Sequence, residues 1–174
     1  MTAGLAALDL LVIDDNAQMR TIIGTVLAAA GVRKLHYAPD GRRGLEVVKK
    51  SMIDVAFVDY EMPVMNGLDF LSAVRGLTTS ERYLPVIMLT GHSDLKRILA
   101  ARDRGVNEFL GKPVTAKSIL TRLETVIMQP RPFVQAPLYF GPDRRRRTIS
   151  DYAGPWRRSG DAARDGAANL VLEL

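Results

Sequence analysis

The sequence predicts an α/β chain with a doubly wound, five-stranded parallel sheet, and three observations carry that prediction. Short apolar runs recur five times between residues 8 and 110, segments of helical period separate them, and acidic, hydroxyl or basic residues stand at the ends of several runs. Read as strands, the runs are residues 8–13, 33–37, 55–58, 85–89 and 108–110. The segments between and after them, 17–30, 42–50, 68–75, 94–104 and 115–128, repeat apolar residues at the spacing of a helix with one buried face. Gly31 stands where a helix C-cap belongs, Asp40 and Asp94 where N-caps belong, and Pro39 cannot continue the strand before it.

With 174 residues, 47% of them hydrophobic, the chain is long enough for one fully cored domain and an extension. Cysteine is absent, which excludes disulfide staples and thiolate metal sites and fits a reducing cytoplasm. The opening MTAGLAALDLLVID lacks a charged leading region, and Asp9 interrupts its apolar run. Neither a signal peptide nor a membrane span is expected there, and a soluble cytoplasmic protein is the expectation. The net charge of +5 is uneven, because eight Arg, no Lys and five acids lie from Arg131 onward.

Residues 1–128 read as the cored domain. Residues 129–142 carry four prolines, Pro130, Pro132, Pro137 and Pro142, which forbid a continuous helix or a central strand and read as an extended linker. Residues 143–174 read as an irregular Arg-rich extension, too poor in apolar residues for a core of its own, flexible or ordered on ligand binding. The final NLVLEL is apolar enough to dock but too short to choose between helix and strand.

In open parallel sheets functional groups gather at the carboxyl ends of the strands. Asp14 and Asp15 follow the first strand, Asp59 follows the third, Thr90 ends the fourth and Lys112 follows the fifth. Three carboxylates in one pocket repel one another unless a cation is bound or protons are retained. With no Cys, and no His near a strand end that could join them, the set suits a hard cation such as Mg²⁺. Phosphoryl transfer needs a nucleophile, a bridging metal and fixed positive charge or donors. Asp59 can serve as nucleophile, Asp14 and Asp15 as metal ligands, Lys112 as fixed charge and Thr90 as hydroxyl donor. Each residue alone reads equally well as a polar group at the sheet rim. Five of the right types in the right order point to a site.

The stretches VIDDN, DYEMPVMNGLDF, LTGHSD and FLGKPV make the resemblance plain. From about residue 8 to residue 128 the chain resembles the receiver domain of two-component response regulators, of the chemotaxis-regulator kind. The resemblance implies a flavodoxin-like fold and phosphorylation of Asp59 by a histidine kinase, a phosphotransfer protein or a small phosphodonor. It implies Mg²⁺ held by Asp15 and Asp59, with Asp14 acting partly through water and Glu61 through its backbone carbonyl. Lys112 would bond the phosphoryl group and precede a cis peptide to Pro113. Such a protein is a phosphoacceptor in signalling, not an enzyme, although it assists its own phosphotransfer and dephosphorylation. The implied switch moves Thr90 toward the phosphoryl group and turns the aromatic at Phe109 inward, changing the face of the fourth helix, fifth strand and fifth helix. Phe109 lacks the hydroxyl of a tyrosine and also reads as a plain core aromatic. His92 and Glu61 lie where the family tunes phosphoryl lifetime. Pro63 and Gly67 make the turn into the next helix, and Met62 and Met65 pack beneath it.

In the extension, Arg144, Arg145, Arg146 and Arg147, then Trp156, Arg157 and Arg158, interleave guanidinium groups with an aromatic, a pattern suited to phosphates and bases. Residues 158–161, RSGD, run from Arg158 to Asp161 and resemble the guanine-reading pattern of cyclic di-GMP sites. On this the chain resembles the chemotaxis-regulator-like cyclic di-GMP effectors, which act on the flagellar motor. Two other readings stand beside it: a solvated basic tail, or a segment folding back on the receiver's acidic or switching face through Tyr139, Phe140 and Trp156. Output by protein docking, as on a flagellar motor switch component, is the leading expectation. The rivals are a phosphate sink without its own target and a nucleic-acid-binding regulator, the latter disfavoured because no recognition helix is visible.

Overall fold

The computed structural model describes residues 2–91 and 95–144. Five strands, β1 Asp9–Ile13, β2 Lys34–Ala38, β3 Val55–Asp59, β4 Val86–Thr90 and β5 Glu108–Gly111, form one parallel sheet in the order β2-β1-β3-β4-β5. Helices α1 Ala17–Ala29, α2 Gly41–Lys50, α3 Gly67–Arg75, α4 Leu95–Asp103 and α5 Ala116–Met128 follow them in turn. A helical turn, Thr2–Leu5, precedes β1, and a 3-10 turn, Ser80–Tyr83, leads into β4. The expected flavodoxin-like winding is present, and it reverses direction between β1 and β3, where a crevice opens at the carboxyl ends of the strands. Among the described residues no helix is long and apolar enough to cross a membrane.

The alternation of side chains along the central strands divides the core in two. Leu11, Ile13, Ala56, Val58, Val86 and Met88 face one core, closed by Val48 of α2 and Phe70, Leu71 and Val74 of α3. Leu10, Val12, Val55, Phe57, Ile87 and Leu89 face the other, closed by Ile23 and Leu27 of α1 and Ile119 and Leu123 of α5. Phe57 and Phe70 are fully buried, each worth about 2 kcal/mol of transfer free energy. Of the described side chains on α4, only Ala101 is fully buried, so this helix has little purchase on the core.

Glycine ends α1 and α4 in the same way. Gly31 has φ 105° and Gly105 has φ 87°; the residue after each glycine donates back across the last turn, Val32 to the Leu27 carbonyl and Val106 to the Ala101 carbonyl, both at 3.1 Å. Asp40 caps α2 by accepting from the Arg43 N–H at 2.9 Å. Asp94, the other expected N-cap, lies outside the described residues.

The reading of residues 129–142 as an extended linker is corrected. β6 Phe133–Ala136 and β7 Tyr139–Pro142 pair antiparallel as a hairpin. Pro132 precedes β6, Pro137 sits in the turn and Pro142 ends β7, so the prolines exclude a central strand without excluding a two-stranded ribbon. Phe133 and Phe140 pack with Tyr83 at ring-centroid distances of 5.2, 5.3 and 5.4 Å, and Arg82 lies 3.6 Å from the Phe140 centroid.

Arg75 lies buried behind this aromatic group. Its five N–H groups donate to the carbonyls of Gly105, Arg82 and Leu84 and to the Asn107 side chain, at 2.8 to 3.0 Å. The Phe133 ring covers it at 5.0 Å. Burial lowers its pKa to about 9, so it remains cationic at neutral pH. Arg131 adds donation to the backbone oxygens of Asn107 and Asp143.

The hairpin therefore covers the amino ends of β4 and β5, at the opposite end of the sheet from the acids. Tyr139 and Phe140 anchor a fold-back segment, but not on the acidic face; Trp156 lies outside the described residues. Asp143 and Arg144, expected to open the tail, belong to the folded part. Arg144 pairs with Asp103 at 2.7 Å and lies 4.4 Å from the Tyr139 centroid.

Candidate functional site

Two asparagines start the helices that flank the crevice. Asn16 accepts from the N–H groups of Gln18 and Met19 at 2.9 and 3.2 Å, and Asn66 from Asp69 at 2.9 Å. α1 therefore begins just past Asp14 and Asp15, and α3 begins at the end of the loop that leaves Asp59. Gly67 allows the close return of that loop: a Cβ there would stand 2.3 Å from the Asp59 carbonyl oxygen. Inside the loop, Met65 N–H donates to the Pro63 carbonyl at 2.8 Å around Val64 at φ 67°. This is a strained γ-turn for a β-branched residue.

Asp14, Asp15 and Asp59 each place a carboxylate oxygen within 4.8 Å of the others. Asp14 is fully buried, Asp59 nearly so, and Asp15 exposed. Lys112, next after β5, reaches in so that its Nζ lies 3.0 Å from Asp14 Oδ2 and 2.9 Å from Asp59 Oδ1. Asp14 Oδ1 accepts from the Asn16 N–H, and Asp59 Oδ1 from the Tyr60 N–H, both at 2.9 Å. Thr90 is buried at the end of β4, and its carbonyl accepts from the Lys112 N–H at 2.8 Å. The Lys112–Pro113 peptide is cis.

Burial raises the Asp59 pKa; Lys112 opposes that rise without cancelling it, and the Asp14 charge adds to it. Burial also works against the charge on Lys112, but the two carboxylates outweigh it and the Lys112 pKa is raised. Three carboxylates against one ammonium leave two negative charges in excess. An all-oxygen set with that excess fits a divalent, oxygen-preferring cation.

Phe109 pairs with Met88 across β4 and β5 and is half-buried against the core that α2 and α3 close. Glu61 lines an open cleft of about 430 Å³ together with Asp15, Tyr60, Met62 and Pro63. Its carboxylate pairs with Arg97 in the first turn of α4. Sequence reasoning missed Arg97, and it missed Arg20, which donates to the backbone carbonyls of Asp14 at 2.7 Å and Asp15 at 3.2 Å. Arg20 carried a usable signal, since it lies in the first turn after the acids. His92 lies outside the described residues, as do Arg145, Arg146, Arg147, Trp156, Arg157, Arg158 and Asp161.

Residues 10–124 match the family model of the response regulator receiver domain. Chemotaxis protein CheY-3 of Vibrio cholerae is 32% identical over 117 residues, covering 67% of this chain and 89% of that protein. Chemotaxis protein CheY of Pseudomonas aeruginosa is 33% identical over 117 residues, covering 67% and 94%. Among solved structures, the chemotaxis protein CheY4 of Vibrio cholerae superposes with a TM-score of 0.65 at 30% identity, covering 68% of this chain and 98% of that one. The receiver domain of the Pseudomonas aeruginosa sensor histidine kinase PA1611, which has magnesium coordinated in its active-site cleft, shares the fold with a TM-score of 0.64 at 23% identity, covering 70% and 98%.

Proposed function

Because the chain belongs to the response regulator receiver domain family, we propose that it accepts a phosphoryl group on Asp59 from a histidine kinase or phosphotransfer protein and signals by docking a target protein. The observation that carries this is the Lys112 ammonium held between Asp14 and Asp59, with Asp15 alongside. Asp59 is the nucleophile: one carboxylate oxygen attacks phosphorus, the donor's bond to phosphorus breaks, and an acyl phosphate forms. Its other interactions fix the attack direction, since Tyr60 N–H and Lys112 both engage Oδ1 and leave Oδ2 for the incoming group. Asp14 is locked by Asn16 and Lys112. Asp14, Asp15, Asp59 and the Glu61 carbonyl would hold Mg²⁺, which when bound neutralises charge on the transferred oxygens. Lys112 supplies fixed positive charge and Thr90 a hydroxyl donor, with Phe109 responding as the switch.

Relatives named as chemotaxis proteins support a target in chemotaxis, and a flagellar motor switch component is the partner proposed. The Arg-rich segment from Arg144 through Asp161 is proposed to bind cyclic di-GMP as a second input, supported by its exclusive use of Arg and by the spacing of Arg158 and Asp161. Mg²⁺-dependent labelling by acetyl phosphate, abolished in Asp59→Asn, tests the phosphoacceptor role. Calorimetry with cyclic di-GMP tests the second input: heat retained at moderate salt and lost in Arg145→Ala or Arg158→Ala supports a specific site, and heat lost with salt alone removes it.

A further inference from the structure

Arg97 gathers the two residues that directly follow Asp59. Its guanidinium pairs with the Glu61 carboxylate and lies 5.3 Å from the centroid of the Tyr60 ring. The Tyr60 N–H is the backbone donor that fixes Asp59 Oδ1, at 2.9 Å. Arg97 thus touches the side chain of the residue whose N–H donates to the nucleophile, and pairs with a residue that lines the cleft. Glu61 lines the cleft beside Asp15, and the side chains of Arg97 and Glu61 are 35% and 65% exposed.

The charge at this cleft matters because the three carboxylates outnumber the Lys112 ammonium by two, with Arg20 on the Asp14 and Asp15 backbone offsetting only part of that excess, and phosphodonors are anions. An unpaired Glu61 would add a further repulsive charge at the cleft. Arg97 cancels it with a planar cation that can also lie against Tyr60, a double contact that a lysine cannot reproduce.

We propose that Arg97 is a positioning residue for phosphorylation of Asp59 by small anionic phosphodonors: it neutralises Glu61 at the cleft and steadies Tyr60 behind the nucleophile. The proposal rests on the phosphoacceptor reading above. In the step it assists, a P–O bond forms at Asp59 while the donor's P–O bond breaks, and with acetyl phosphate the acetate leaves with the electron pair.

The test measures the initial rate of Asp59 labelling by acetyl phosphate with Mg²⁺, using the full chain and its Arg97→Ala, Glu61→Gln and doubly substituted forms. Arg97→Ala is expected to slow labelling about fivefold at low ionic strength, the size of one unscreened charge at contact distance in water. That deficit is expected to shrink below about twofold at 1 M salt, where screening acts within about 3 Å. Glu61→Gln alone is expected to speed labelling, and the double form to return to within about twofold of wild type, because the repulsive charge is then gone. Equal rates for wild type and Arg97→Ala at low salt overturn the proposal. So does a deficit that is the same at both salts and is not rescued by Glu61→Gln, which marks a merely structural role. Wild type that takes no label, or Asp59→Asn that still does, overturns the phosphoacceptor reading itself and this proposal with it.

Discussion

Gly141 of the hairpin packs backbone against backbone on Gly105: a Cβ on Gly141 would stand 2.5 Å from the Gly105 Cα. No rotamer relieves that overlap, because both partners are main chain. Gly141→Ala is therefore expected to destabilise the protein by about 1–3 kcal/mol, read as a lower urea midpoint. An unchanged midpoint would show that the hairpin does not stay seated in solution.

Arg75 makes a second test. Arg75→Ala leaves three carbonyls and the Asn107 amide oxygen without this donor and opens a cavity under Phe133, an expected loss of about 3–5 kcal/mol. Arg75→Lys is expected to recover little, since one ammonium with three donors cannot reach a set laid out for five. Chemical denaturation of both variants checks the ranking; a lysine variant near wild type contradicts it.

Truncation separates the hairpin from the Arg-rich segment. A chain ending at Met128 exposes Arg75 and uncovers the ring face of the already half-exposed Tyr83, and is expected to lose about 2–4 kcal/mol from the apolar area uncovered; one ending at Arg144 is expected to keep its melting temperature. The shorter chain is thus a poor control for ligand binding by residues 145–174, because it changes the receiver as well.

Asp59 gives a pH dependence with a definite sign. An acid held above its ordinary value of 3.8 favours the folded state while protonated, so its contribution is full below that value and is lost as the pH rises through the folded-state pKa. At pH 7 Asp59→Asn is expected to melt above wild type, with the gap closing toward pH 3.8. Mg²⁺ is expected to raise the wild-type melting temperature more than that of the variant, by linkage. Calorimetric scans across pH, with and without Mg²⁺, check both; a variant that melts below wild type at pH 7 would falsify the sign.

The sheet and the acidic pocket were legible because their signals are local. Val55 to Asp59 is an apolar run ended by an acid, and each of the other strands carries its own run, so alternation alone placed Asp14, Asp59, Thr90 and Lys112 at one end. The hairpin was illegible for the opposite reason. Its strands are four residues each and flanked by proline, and what holds them is Arg75, Tyr83 and Gly105, far back along the chain. Arg97 was hidden likewise: on an amphipathic helix it looks like any solvated basic residue, and its partner Glu61 belongs to another element.

α4 is a beam carried at its two ends. With Ala101 its only fully buried described side chain, it is held near its start by Arg97 on Glu61 and at its last residue by Asp103 on Arg144. Both supports are partly exposed ion pairs, each worth about 1 kcal/mol or less in salt. Moving this helix therefore tears little apolar packing, and its stiffness is a property of the surrounding electrolyte as much as of the fold.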